Sequence, residues 1–231
     1  SNFELLICDD TSTDKTIELI NEISDSRIRF FKNDKNLGLA ETLNRLIQLS
    51  DPQSKYIAMA EHDDYYYPNR LKLQKEFLDN SPEFGMVSGI AEHWDGYRVT
   101  IKFPGLLVQD KSYPKGIDMF KLNYREQLKV VNTCMMFRKA IHFDNKFLWS
   151  LKYPGISVDW DYILRFSLFS NIGGINQTLV RLNRRSERKS LTKDRKLRFT
   201  ISKILIKEFY KEFPKIITKD DYCYALATQE Y

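Results

Sequence analysis

Over the first ninety positions the apolar residues alternate between two rhythms. Residues 3–8, 27–31 and 55–60 are short apolar runs rich in strand formers. Between them, residues 15–23 carry Ile17, Ile20 and Ile23 at helical spacing, and residues 39–49 set Leu39, Leu43, Leu46 and Ile47 on one face. Residues 68–78 predict another helix, with Pro68 near its start, where a missing amide costs nothing. Such alternation predicts an α/β layer with mainly parallel strands. Further along the rhythm loosens: residues 85–90, 99–103, 129–137 and 172–182 read as extended, and 159–169 as a helix. Residues 195–213 predict a basic amphipathic helix with Phe199, Ile201, Ile204, Leu205 and Phe209 near helical spacing, expected to pack on its own domain.

Two acid pairs punctuate this pattern. Asp9 and Asp10 end the first predicted strand, and Asp63 and Asp64 follow the strand of residues 55–60. In an open α/β sheet ligands bind beyond the carboxyl ends of the strands, so both pairs are expected to face one crevice. Ser12, Thr13 and Asp14 read as helix caps. The second pair leaves through Tyr65, Tyr66, Tyr67 and Pro68, an aromatic and rigid exit rather than a solvated turn. Adjacent carboxylates repel, and a divalent cation relieves the repulsion; hard oxygen ligands on a short turn suit Mg²⁺ or Mn²⁺ carrying a diphosphate.

Composition narrows the class. The 231 residues with 42% hydrophobic content can bury one substantial domain with a small extension. Cys8, Cys134 and Cys223 are an odd number without zinc-site spacing, which fits a reducing compartment. No stretch approaches the roughly 20 apolar residues needed to span a bilayer, so a cytoplasmic location is expected. The net charge of +5 is unevenly placed: Arg181, Arg184, Arg185, Arg188, Lys189, Lys193, Arg195, Lys196 and Arg198 cluster together. That cluster is either a solvated face or a match for a phosphate-bearing ligand or an anionic membrane; nucleic acid is set aside because no binding motif accompanies the charge. Neither GxxxxGK[ST] nor GxGxxG occurs, so phosphate would be held by metal and side chains. The adjacency of Asp9 and Asp10 fails the DxDxT spacing of a phosphatase nucleophile.

Three segments in order, "FELLICDDTSTDKT", "NDKNLGLAETLNRLI" and "YIAMAEHDDYYYPNRLKLQ", resemble the family 2 glycosyltransferases, inverting nucleotide-sugar enzymes of GT-A fold. "VDWDYILRF" and "LVRLNRRSERKS" resemble the family's later acidic motif and the loop beyond it, so the likeness covers most of residues 3–190. The resemblance implies a GT-A-like, Rossmann-type, mainly parallel sheet flanked by helices. It divides residues 1–193 into a nucleotide-sugar half to about residue 95 and an acceptor half beyond it, leaving 194–231 as a C-terminal helical extension. It implies that Asp9 or Asp10 contacts the nucleoside, that Asp63 lies near the ribose and metal, and that Asp64 binds the metal. Asp159 would be the catalytic base, with Asp161 its rival, and Asn36, Arg70 and Arg185 would complete the donor site. Glu61 stands where many members carry the first Asp of a DxD triplet, and Arg184–Arg185 where many carry Arg-x-His.

The implied partners are a nucleoside diphosphate sugar such as a UDP-sugar, a glycan or lipid-linked acceptor, and Mn²⁺ or Mg²⁺. Contact of the basic C-terminal helix with a membrane would put the protein at its inner face. Members of the family begin with another strand and helix before the segment matching "FELLICDD". A chain without them would be a fragment or a glycosyltransferase-like binding module without turnover, which is the alternative reading. A nucleotidyltransferase, the third class, would want a glycine-rich, arginine-containing loop near the first strand, and none is present.

Overall fold

The structure, a computed structural model, describes residues 2–103, 114–127, 130–153, 155–185 and 194–229. Arg188, Lys189 and Lys193 of the basic cluster lie outside the described residues, as does Lys129 at the start of one expected strand. The first half runs β1 (Leu5–Asp9), α1 (Thr16–Asn21), β2 (Ile28–Lys32), α2 (Gly38–Gln48), β3 (Tyr56–Ala58), β4 (Tyr65–Tyr66), α3 (Arg70–Asn80) and β5 (Phe84–Trp94). There follow β6 (Val99–Phe103), α4 (Gly116–Glu126), a 3₁₀ turn (Asn132–Cys134), β7 (Met136–Arg138), α5 (Lys139–Asp144), α6 (Val158–Ser167), β8 (Asn171–Asn183), α7 (Arg195–Glu212) and α8 (Lys219–Ala227).

The α/β class matches expectation, with a narrower share of parallel pairing. β1 and β2 form a parallel two-stranded sheet of their own. The second sheet has the order β3-β7-β5-β8-β4, with β6 pairing the far half of β5. Within it only β5 and β8 are parallel; β7 runs antiparallel to both β3 and β5, and β4 antiparallel to β8. The three-residue strand β7 turns residues 130–135 back along the sheet. An expected strand over residues 129–137 is therefore a 3₁₀ turn followed by a short strand, and the turn's buried Thr133 and Cys134 explain its apolar look. Because β7 reverses, β3, β5 and β8 still point the same way, and their carboxyl ends lie at one edge.

Local chemistry sets several boundaries. Helix α2 begins where Asp10 accepts hydrogen bonds from the backbone N–H groups of Leu37 and Gly38, both at 2.8 Å. Gly38 enters it at φ +77°, a conformation that costs a side chain energy. Helix α3 starts at Arg70, two residues later than the proline suggested, because Tyr65–Tyr66 pairs with β8 first. On β8, Gly173 lets the strand approach α3: a Cβ there would lie 2.4 Å from the Phe77 ring.

The main core gathers Phe120 and Tyr124 of α4, Phe137 of β7, Trp160, Tyr162 and Phe166 of α6, and Leu205, Ile206 and Phe209 of α7. Trp149 stacks on Tyr162 with ring centroids 4.3 Å apart. The C-terminal helix thus packs on the domain that precedes it, as its apolar face required. Helices α4 and α5 were not expected, and α8 only as part of a helical extension over residues 194–231; α4 carries a helical face of Met119, Phe120 and Tyr124 that was passed over.

Candidate active site

The turn leaving β3 brings Glu61, Asp63 and Asp64 together: one carboxylate oxygen from each lies within 4.8 Å of the others, and all three residues are half-buried. Hydrogen bonds hold this turn at both ends. The Tyr66 hydroxyl donates to the Glu61 carbonyl at 2.9 Å, accepts from the Glu61 N–H, and meets Thr133 Oγ1 at 2.6 Å. Asp64 Oδ1 accepts from the backbone N–H of Asn183 at 3.1 Å, which fixes the turn to the end of β8. Asn132 Nδ2 donates to Glu61 Oε1 at 3.2 Å.

Arg70 lies behind this turn rather than in an open cleft, being only 3% exposed. Its Nη2 donates to the carbonyls of Met59 at 2.6 Å and Met135 at 3.3 Å, its Nε to Gln74 at 3.0 Å, and its guanidinium sits 4.8 Å from the Tyr66 ring centroid. The expected donor contact from Arg70 is accordingly replaced by a bracing role: the guanidinium ties the end of β3 to the segment before β7.

The acid cluster is electrostatically costly. Burial pushes the Glu61 carboxyl above the ordinary range, and the charges of Asp64, Asp159 and Asp63 push it further, against the Asn132 hydrogen bond. Asp159, nearly a hundred residues later, is thereby within electrostatic reach of the turn. Asp159 stands in the first turn of α6, where its Oδ1 accepts from the Trp160 N–H at 2.9 Å. Burial outweighs that hydrogen bond and the helix start, and raises the Asp159 carboxyl. Asp161 is 2% exposed and bonded to Arg165 at 3.2 Å, so it is enclosed in the protein and ion-paired, whereas Asp159 is half-buried.

Basic side chains flank the cluster along β8. Arg181 donates to Glu92 at 2.7 Å and to the Tyr67 hydroxyl at 3.0 Å. Arg185, exposed, lies over the Trp94 ring at 4.5 Å, two residues beyond the Asn183 amide that holds Asp64.

Asp9 and Asp10 form a separate neighbourhood. Asp9 accepts from the backbone N–H of Thr11 at 3.1 Å and of Ser12 at 3.2 Å. Burial raises the Asp10 carboxyl, but hydrogen bonds from Leu37, Asn33, Gly38 and Thr42 outweigh it and hold the group below the usual carboxylate range. Asn36 Nδ2 donates to the Asp10 carbonyl at 3.2 Å and is exposed. The two acid pairs do not end strands of one sheet: β1 pairs with β2 in its own sheet, and β3 belongs to the other. Glu61, Asn132, Thr133 and Asn183 were not singled out as site residues. Glu61 had a signal, as the first acid of "EHDD"; the other three had none, because each reaches the site from a distant strand end.

Three carboxylates so grouped are a hard-oxygen donor set that fits Mg²⁺ or Mn²⁺. The family described as Glycosyl transferase family 2 matches residues 1–143, which include both acid pairs and stop short of Asp159 and Arg185. The chain is similar to two Escherichia coli proteins. One is UDP-Glc:alpha-D-GlcNAc-diphosphoundecaprenol beta-1,3-glucosyltransferase WfaP, at 37% identity over 36% of this chain and 32% of that protein. The other is UDP-Glc:alpha-D-GlcNAc-diphosphoundecaprenol beta-1,3-glucosyltransferase WfgD, at 26% identity over 76% of this chain and 62% of that protein. Among solved structures, S. aureus TarS 1-349 in complex with UDP-GlcNAc shares the fold with a TM-score of 0.68 at 15% identity, over 90% of this chain and 58% of that one. The chain thus spans between about a third and three-fifths of the length of these proteins.

Two outcomes test the site's construction. Arg70→Met leaves the carbonyls of Met59 and Met135 without their charged donor and should lower folding stability by about 3 kcal/mol in urea denaturation. Glu61→Gln should act in the opposite direction when chelator is present. A carboxyl whose folded pKa is raised stabilises the fold below its unfolded pKa and loses that contribution as pH rises through the folded value. The wild type in EDTA should therefore lose thermal stability across that window above the ordinary Glu range, and Glu61→Gln should flatten the loss while weakening Mn²⁺ binding, both read by calorimetry.

Proposed function

The chain belongs to glycosyl transferase family 2, and we propose that it transfers a sugar from a nucleoside diphosphate sugar to an acceptor hydroxyl with inversion at the anomeric carbon. The observation that carries this reading is the grouping of Glu61, Asp63 and Asp64 on one turn, one carboxylate oxygen of each within 4.8 Å of the others, with the charge of Asp159 felt at Glu61. Glu61, Asp63 and Asp64 would hold Mn²⁺ or Mg²⁺. Such an ion supplies positive charge for the diphosphate as it leaves.

Asp159 would serve as the base. It takes the proton of the acceptor hydroxyl while that oxygen bonds to the anomeric carbon, and the bond from that carbon to the diphosphate breaks with its electron pair on the diphosphate oxygen. A carboxyl raised by burial is a stronger base than an exposed one, which suits this task. Asp161 is ill-suited to it, being enclosed and paired with Arg165. Arg185, two residues past Asn183, would meet the diphosphate, and Asp9, Asp10 and Asn36 would take the nucleoside. In this reading the nucleotide-sugar half runs to about residue 95, the acceptor half to about 193, and the extension beyond.

The names of the two E. coli relatives support a UDP-sugar donor and a lipid-linked acceptor for this chain as well. Among the described residues no helix is long and apolar enough to cross a membrane. Helix α7 turns Lys196, Lys203, Lys207 and Lys211 outward, with Ile204 44% exposed among them. That face would meet anionic headgroups at the inner surface of a membrane, each lysine contributing about 1 kcal/mol.

Two substitutions test the reading. Asp64→Asn should keep the fold and lose most of the Mn²⁺-dependent thermal shift given by UDP; an undiminished shift would reject its metal role. Asp159→Asn should keep that shift and lose transfer by about 10² to 10⁴-fold, with the wild-type rate falling as pH drops through the raised carboxyl pKa. Binding by the wild type without transfer to any acceptor would assign the chain to the non-catalytic alternative.

A further inference from the structure

The first turn of α6 is an unusual place to hang a mobile catalytic group. Ser157, which leads into it, has φ 62°, a left-handed conformation that a residue with a Cβ adopts only when its surroundings impose it. Two side chains of that turn are anchored. Trp160 Nε1 donates to the Asn123 carbonyl of α4 at 2.9 Å, and Asp161 is buried against Arg165 one turn further on. The Asp161 backbone N–H also donates to the Ser157 carbonyl at 3.0 Å, closing the turn that contains Asp159.

Arg165 is in turn held by the C-terminal helix. Its Nη1 and Nη2 donate to the two carboxylate oxygens of Glu212 at 2.6 and 2.9 Å, a parallel fork-to-fork pair. The rings of Phe209 and Phe213 lie 4.8 and 6.0 Å from the guanidinium carbon. With both terminal nitrogens taken by Glu212, the Nε–H is left directed at Asp161. Remove Glu212 and the fork can swing toward solvent or toward Asp161 end-on, so the direction of the Asp161 bond is no longer imposed.

We propose that Glu212 of α7 is a positioning residue for the transfer reaction: acting through Arg165 and Asp161, it locks the first turn of α6 and with it the aim of Asp159. This rests on the reading of Asp159 as the base. It gives the C-terminal helix, which lies beyond the residues matched to the family, a share in the rate. Displacing a catalytic group by about 1 Å can cost on the order of 10²-fold, so a looser turn should show in turnover.

The test uses the full chain with Glu212→Gln, which removes the charge and keeps the size, and Glu208→Gln as its control. Glu208 lies on the same helix, accepts from the Tyr153 hydroxyl at 2.9 Å and pairs with Lys152 at 3.6 Å, and among the described residues it makes no bond to the first turn of α6 or to Arg165. Hydrogen exchange of residues 157–163 should quicken about fivefold or more in Glu212→Gln and stay at the wild-type rate in Glu208→Gln. Turnover is read as UDP release from UDP-glucose with Mn²⁺ and a synthetic polyprenyl-diphosphate-linked N-acetylglucosamine. There kcat should fall about fivefold in Glu212→Gln with donor KM unchanged, and Glu208→Gln should match the wild type. Should Glu212→Gln fail to fold, Glu212→Asp, one methylene shorter, is read the same way. Wild-type exchange in Glu212→Gln, or equal quickening in both variants, would overturn the positioning role. An inactive Asp159→Asn beside a fully active Glu212→Gln would overturn it while leaving the base intact, whereas an active Asp159→Asn would overturn both.

Discussion

The buried guanidinium of Arg70 is the constraint on which the site depends. Three half-buried carboxylates cannot share the short segment between β3 and β4 unless the backbone on either side of them is held in place. Arg70 does this from beneath, binding the carbonyl that leads into the turn, the carbonyl that precedes β7, and the face of the Tyr66 ring that follows the acids. Burying a cation is unfavourable unless its donors are satisfied, and here carbonyl dipoles and Gln74 satisfy them. Burial lowers the Arg70 guanidinium from its ordinary value, and the charges of Cys134, Tyr66 and Asp64 oppose that shift only in part. The brace therefore holds the acids through the backbone around them rather than by direct pairing.

Around that brace the carboxylates divide by environment. Asp10 accepts several hydrogen bonds and stays a firm anion at the head of α2. Burial pushes both Glu61 and Asp159 toward the neutral form, and for Glu61 the charges of Asp64, Asp159 and Asp63 add to it. The first kind of group builds structure; the second carries an electrostatic cost that a bound cation or a proton would relieve. Arg165 repeats the pattern at longer range, joining one buried and one partly exposed acid across two helices.

Much of the early chain was legible because its signals are local. The 3.6-residue spacing of Leu39, Leu43, Leu46 and Ile47, and the acids at strand ends, report on neighbours in sequence, and they placed α2, β1 and the Asp63–Asp64 turn before any packing was known. The long basic helix was legible for the same reason. The motif order further pointed to Asp159, though nothing local could say what lay around it.

What only the tertiary structure decided is everything that depends on chain reversal and burial. A three-residue strand carries too few positions to display a period, so β7 was read only as the end of a longer strand, and its antiparallel course was silent in the sequence, as was the arrival of Asn132 and Thr133 beside Glu61. Arg70 reads as a surface or ligand-binding arginine until packing encloses it. Asp159 and Asp161 look alike two residues apart on one helix, and only packing shows that Asp161 is buried and paired with Arg165 while Asp159 is half-buried. A carboxylate's ionisation is set by the dielectric and charges around it, and those belong to segments that the fold, rather than the local sequence, brings near.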